Sequence, residues 1–396
     1  MKAMLTRLIR AGLTLALAAS LAMPAGAAQR SLPPIIPGVP PAESAPVALL
    51  VDVTNGQVLH ARNPDRRFAP ASVTKVMTLY LAFELMAEGR LQPEQVMEMS
   101  PAMWRDWRRK GSNMALNLGD RISVRDLLMG IANVSANDGS AVLAEGFAGS
   151  VPAWTAAMNA KASELGMRGS FFSSPNGWPD QGQTFTTAND LVMLGRAMIE
   201  RHPMLFRDYI GHPGFAFNGL AKINHDPLIG RYPGADGIKT GFTNEAGFNY
   251  LGTARRGDQR LMMVLAGVPD GRLRAQLARN YMEWGFTAFQ RPILFKRGAV
   301  IGHARVQNGT ARRVALVAAG PVAVNLPNGH SAPLAATIEY DGPLKAPLVA
   351  GQKVAVLTIT APDMAAAQIP LMAREDVALA SPFERVANGL AAWLPW

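Results

Sequence analysis

Ser72 and Lys75 stand three residues apart at the head of an apolar run, Val76 to Leu85, with Pro70 just before them. Proline is favoured in the first turn of a helix, so this stretch predicts a helix opening at Ser72. The three-residue offset then puts both side chains on one face, one turn apart, with the lysine amine beside the serine oxygen. A serine hydroxyl is a weak nucleophile at neutral pH and needs such a base to attack a carbonyl. A lone Ser-x-x-Lys is most often a surface serine and a solvated lysine. Here two further motifs follow in order, Ser135-Ala136-Asn137 and Lys239-Thr240-Gly241. Each alone reads as a helix cap or a turn, but the ordered set is the pattern of a serine acyl-transfer centre.

The rest of the chain fits around these motifs. A basic start, an apolar run from Ala11 to Met23 and the small residues Ala25-Gly26-Ala27 predict an export signal over residues 1–27. The apolar run is short for a membrane span. A proline-rich leader, 28–44, precedes the folded part. Strand-like runs at 46–52 and 57–60 flank Thr54-Asn55-Gly56, a hairpin signal. Helical patterning dominates from Ser72 to about Glu200, and strand signals return at 237–240, 248–253 and 261–268. Residues 45–290 are therefore expected to form an antiparallel sheet with helices and a helical subdomain. Beyond Arg291 short β-branched runs at 314–317, 322–324, 336–340 and 354–358 alternate with Asn308-Gly309, Asn328-Gly329 and Asp341-Gly342. These predict a small all-β domain over 291–375, read as a spacer or docking module.

The 396 residues exceed one typical domain and carry enough apolar residues for two cores. The formal charge of +10 falls by three, to about +7, without Lys2, Arg7 and Arg10. A basic chain can bind nucleic acid, but no zinc spacing or recognition motif supports that. Anionic wall polymers and phospholipid head groups are the better-matched neighbours. With no cysteine there is neither disulfide nor thiol chemistry. The six histidines show no metal-binding spacing, so no metal and no cofactor is expected.

With these motifs the chain resembles the low-molecular-mass penicillin-binding proteins that act as serine D-Ala-D-Ala carboxypeptidases. The likeness extends through Gly111-Ser112-Asn113-Met114, Gly119 to Val124 and Asp236 to Asn249, nearly end to end. It departs at Ala136, where the family commonly has glycine, at Phe242, where it has histidine, and at Pro175-Asn176-Gly177-Trp178, where it has His-Gly-Leu. The resemblance implies the α/β penicillin-binding-protein/β-lactamase-like fold followed by the all-β domain. It also implies roles: Ser72 as nucleophile, Lys75 as base, and Ser135 as proton relay to the leaving amine. Asn137 would bond the substrate backbone or hold Lys75. The N–H groups of Ser72 and Phe242 would form the oxyanion hole beside Gly241. Lys239, Thr240 and Arg274, ten residues before Trp284, would recognise the substrate carboxylate.

The implied substrate is a peptidoglycan stem pentapeptide, with β-lactams as covalent inhibitors. A DD-endopeptidase, a β-lactamase and a non-catalytic wall-binding scaffold remain open. The second would need a water-activating group, and no convincing Glu-x-x-Asn stands between the second and third motifs. Over 376–396, Ser381-Pro382 opens a helix whose Phe383, Val386, Leu390, Trp393 and Leu394 form one apolar stripe. Such a stripe usually packs on a core. Its tryptophans and the family's terminal amphipathic helix favour an anchor on the outer face of the inner membrane, with the enzyme in the periplasm.

Overall fold

The computed structural model describes residues 2–9, 38–39, 45–329 and 333–385. The chain divides into two compact units, one built on His60–Phe286 and the other on the residues from Thr287 onward together with Asp52–Leu59.

The central sheet has five strands in the order Gln57–Arg62, Val47–Asp52, Gln259–Val268, Gly247–Arg256, Ala235–Thr243. The last three run antiparallel, with Lys239 opposite Leu251 and Val264 opposite Leu251 on its other side. The third motif thus lies on an edge strand. The hairpin expected at Thr54-Asn55-Gly56 is present, with Gly56 at φ +72° and the Asn55 side chain accepting the Gln57 N–H at 3.0 Å.

Helix Lys75–Ala87 is buried without a break from Lys75 to Phe83. A helix apolar all round belongs at the centre of a fold, and this one does. Helix Val151–Leu165 packs on it through Trp154, fully buried, whose indole N–H points at Thr78 Oγ1 across 3.4 Å. The helical stretch continues through Val124–Asn133, Asn137–Ala148 and Ala188–Arg201. Ser123 and Thr187 cap two of these by accepting the Asp126 and Asp190 N–H groups. One expectation needs correcting. Ser72 lies in a 3-10 turn, Ala71–Thr74, and the α-helix begins only at Lys75. In a 3-10 turn residues i and i+3 eclipse, so the serine–lysine pairing survives the change and tightens.

In the second unit a seven-stranded sheet has the order Lys2–Ile9, Leu334–Asp341, Lys353–Thr360, Ala367–Ala373, Arg313–Ala318, Gly302–Gln307, Leu344–Lys345. Val314, Leu316, Leu357, Ile359 and Leu371 form its core. Asn325 is fully buried here and fully bonded, its amide donating to Asp52 Oδ2 at 2.8 Å while Gln57 Nε2 donates to its carbonyl at 2.9 Å. Lys2–Ile9, from the expected signal, pairs antiparallel with Leu334–Asp341. Residues 10–37 lie outside the described residues, and so does most of the remaining leader.

The β unit extends past the expected boundary. Val377 and Ala380 are buried, and Leu348 bridges Val377. The turn that follows begins at Ser381, whose Oγ accepts the Glu384 N–H at 3.3 Å while the Glu384 carboxylate accepts the Ser381 N–H at 2.7 Å. This reciprocal capping box is the expected helix start, but the stripe from Val386 to Leu394 lies outside the described residues.

Candidate active site

Lys75 is fully buried, and its Nζ lies 2.9 Å from Ser72 Oγ, 2.7 Å from Asn137 Oδ1 and 2.8 Å from the Asn176 carbonyl oxygen. Burial lowers its pKa well below 10.5; the charge of Lys239 adds to this and Asp138 opposes it. A neutral amine has two N–H donors and one lone pair. Asn137 Oδ1 and the Asn176 carbonyl accept the two hydrogens, so the lone pair is left for the Ser72 hydroxyl. The geometry therefore makes Lys75 a base directed at Ser72.

Asn137 is held in turn, its amide donating to the Lys110 carbonyl at 3.0 Å. Of the two roles open to it, positioning Lys75 is the one its hydrogen bonds serve. Ser135 is buried at φ +61° in the turn entering helix Asn137–Ala148. Its hydroxyl has no hydrogen bond among the described residues. Ala71, at φ +49°, precedes the nucleophile. Both serines thus sit beside or in left-handed backbone, the kind of strain that clusters at working sites.

The third motif lies against the nucleophile turn. A Cβ on Gly241 would meet Pro70 O at 2.5 Å and Ser72 N at 3.1 Å, so only glycine lets the strand approach the Ser72 N–H this closely. Asn249 ties the two together, donating to Ala69 O at 2.9 Å. Phe242 is half-exposed and stacks on Phe248 with centroids 4.1 Å apart.

Lys239 is buried, its Nζ donating to the Thr240 carbonyl at 3.0 Å, and Thr240 is buried beside it. Burial brings Lys239 down to about 7, with Asp226 raising it and Arg274 lowering it. Arg274 lies over the Phe248 ring at 5.7 Å and donates to the His225 carbonyl at 3.4 Å. The structure therefore brings Lys239 and Arg274 within one another's field.

Sequence reasoning missed several supporting residues. Asp138 accepts the N–H groups of Met114 and Leu116 at 3.0 and 3.1 Å, fastening the segment leading to the second motif. Asn176 holds Lys75 through a main-chain carbonyl, which no residue type advertises. Asp226, pushed up to about 6 by burial, accepts from Tyr250 Oη at 3.1 Å and faces the Lys239–Arg274 pair. The adjacency of Asn137 and Asp138, and the noted departure at Pro175 to Trp178, were the available signals.

Gly177, at φ +72°, closes the Asn176 loop onto the nucleophile turn: a Cβ there would lie 1.9 Å from Ala71 O. We expect Gly177→Ala to destabilise the fold by about 1–3 kcal/mol, because the backbone must move or bear the strain. Urea denaturation measures this, and an unchanged midpoint would show that loop and turn are not in contact.

Comparison with known proteins agrees with this geometry. Residues 37–270 match the D-alanyl-D-alanine carboxypeptidase family model, and residues 289–379 match the penicillin-binding protein 5 C-terminal domain. The chain is 31% identical over 356 residues to D-alanyl-D-alanine carboxypeptidase DacA of Haemophilus influenzae, covering 89% of this chain and 90% of that protein. It is 30% identical to DacA of Escherichia coli K12, covering 93% and 92%. Penicillin-binding protein 5 from Haemophilus influenzae superposes with a TM-score of 0.71 at 30% identity, covering 87% of this chain and 99% of that one. The ampicillin-bound penicillin-binding protein D2 of Listeria monocytogenes gives 0.56 at 29% identity, covering 62% and 98%. With a buried lysine aimed at Ser72, the two other motifs converging on it, and a family match over more than half its length, the chain belongs to the serine D-alanyl-D-alanine carboxypeptidases, the low-molecular-mass penicillin-binding proteins.

Proposed function

We propose that this chain removes the terminal D-alanine from peptidoglycan stem pentapeptides and so limits cell-wall cross-linking. The observation that carries the reading is the 2.9 Å contact between Ser72 Oγ and the buried Lys75 Nζ. Ser72 attacks the carbonyl of the penultimate D-alanine, forming an ester bond as its proton passes to Lys75. The N–H groups of Ser72 and Phe242 take the developing oxyanion charge. Collapse breaks the peptide C–N bond, the proton reaches the departing amine through the Ser135 hydroxyl, and water then cleaves the ester. Lys239, Thr240 and Arg274 hold the terminal carboxylate. A β-lactam carbonyl acylates Ser72 by the same route.

Incubation with a diacyl-D-Ala-D-Ala peptide and a labelled penicillin tests this. The wild type should release D-alanine and carry a long-lived label; Ser72→Ala should do neither. Rapid penicillin turnover would mark a β-lactamase, and labelling of Ser72→Ala at the wild-type rate would remove Ser72 from the mechanism.

The two lysines have opposite requirements, since Lys75 must be neutral to accept a proton and Lys239 charged to bind a carboxylate. The acid limb of kcat/KM should therefore rise as Lys75 loses its proton, and the basic limb should fall near 7 as Lys239 does. In Lys239→Gln the basic limb should vanish. The acid limb should move to higher pH, because a charge that depresses Lys75 is gone. A bell unchanged by the substitution would contradict both assignments.

We further propose export to the periplasm, supported by the signal pattern, and attachment to the membrane surface through the segment from Ser381 onward, supported by its capping box and tryptophans. Among the described residues no helix is long and apolar enough to cross a membrane. Deleting 381–396 should leave peptide hydrolysis intact and move the enzyme from sedimenting membranes to the soluble fraction. Lost thermal stability with unchanged sedimentation would make the segment part of the core instead.

A further inference from the structure

The run Trp104 to Lys110 carries four cations and a single acid, Asp106, which pairs with Arg105 at 3.2 Å. Arg108 lies over the Trp104 ring at 4.2 Å and Lys110 over Trp107 at 5.5 Å. Trp107 meets the partly exposed Trp178 edge to face, with centroids 6.0 Å apart. Arg108, Arg109 and Lys110 are exposed, and among the described residues no carboxylate lies within ion-pair distance of them. An aromatic face holds a cation in place without neutralising it, so these charges stay available to a ligand.

The rim is fastened to the catalytic lysine from both sides. The Lys110 carbonyl accepts the amide of Asn137, whose Oδ1 holds Lys75, and Trp178 lies two residues beyond Asn176, whose carbonyl also holds Lys75. Gly111 cannot carry a side chain: a Cβ there would lie 2.9 Å from Asn137 Nδ2 and 3.0 Å from the Trp178 ring. Arg109, at φ +60°, and Gly111, at φ +58°, give the segment its sharp turn into the site. The main chain of the rim at Lys110 therefore stands two hydrogen bonds from the Lys75 amine.

We propose that Arg108, Arg109 and Lys110, set on Trp104, Trp107 and Trp178, form a subsite for the carboxylates of the stem peptide on the acyl side of the scissile bond. The inference rests on the carboxypeptidase reading for the identity of the substrate. A stem with free side carboxylates, such as the α-carboxylate of its γ-linked glutamate, complements the rim. The same stem amidated at that position does not. The rim thus selects among stems that share the D-Ala-D-Ala end, which Lys239 and Arg274 cannot do.

Two measurements test the proposal, using the full chain and matched pentapeptides bearing a free carboxylate or an amide on the γ-linked glutamate. At low salt, kcat/KM should favour the acid by about fivefold, the discrimination expected of partly exposed ion pairs. Salt of about 0.5 M should erase most of that ratio, because exposed pairs are screened. Replacing the rim cations together, as Arg108→Gln, Arg109→Gln and Lys110→Gln, should bring the ratio towards one. Tryptophan fluorescence titrated with the stem tripeptide, which lacks D-Ala-D-Ala, reads the subsite without turnover and should show the same preference. A ratio near one in the wild type, or one that the triple variant leaves intact, overturns the subsite. Failure to release D-alanine while the tripeptide acid still binds better than its amide overturns the carboxypeptidase reading and leaves the subsite standing.

Discussion

Placing a lysine wholly out of water at the centre of the first unit is the constraint that the rest of the site answers to. An amine taken wholly out of water resists protonation, and Lys75 is fully enclosed at the start of the most buried helix. Its two carbonyl partners leave one direction for the lone pair, which is Ser72. Burial and the Lys239 charge therefore depress the pKa of the base, while Asn137 and the Asn176 carbonyl set its aim. The other features follow from holding those oxygens still: the Lys110 carbonyl on Asn137, the Asp138 carboxylate on the Met114 and Leu116 N–H groups, and Gly177 under Ala71.

This arrangement costs stability. Lys75 and Lys239 both have folded pKa values depressed below their unfolded value. Between the folded and unfolded values the unfolded chain binds more protons, so stability rises with pH through that window. Below the folded values the penalty is complete. The surrounding fold compensates with apolar burial, in the uninterrupted core face of Lys75–Ala87 and in Trp154 against Thr78. The sequence puts an apolar run, Val76 to Leu85, directly after Lys75, where the polar cost falls.

The legible parts of the chain were those whose chemistry is local. Ser72 and Lys75 meet within one turn, and the correction from α-helix to 3-10 turn changes their spacing without changing their neighbours. Lys239, Thr240 and Gly241 could be placed on a strand, but their approach to Ser72 depends on register with Asn249, which periodicity does not encode. Asn176 acts through its main chain and was unreadable for that reason. In the β unit, the strands around Val314, Ala336 and Val354 show clear β-branched runs. Gly302–Gln307 buries only Ala304 and gives no such pattern, and Ala367–Ala373 contains Pro370, which argues against a strand. Pairing of that strand with Arg313–Ala318 begins at Leu371, so the proline stands just outside that ladder.

The proposed carboxylate end uses the same physics for the opposite requirement, a lysine that must carry charge. Lys239 near 7 and Asp226 near 6 are both displaced by burial, and Arg274 lies in the field of each. Before substrate arrives Lys239 is close to its titration point, so its charge is only partly committed. Under the proposed reading an incoming carboxylate would supply the missing counter-charge and draw the proton onto Lys239, strengthening the contact that it makes. An amide end brings no charge and leaves the lysine as it was. Selectivity for a free C-terminus would then come from coupling between ligand and lysine protonation as well as from a fixed cation. Asp226 takes part in that balance from the far side, because its own charge favours the protonated lysine before any substrate is present.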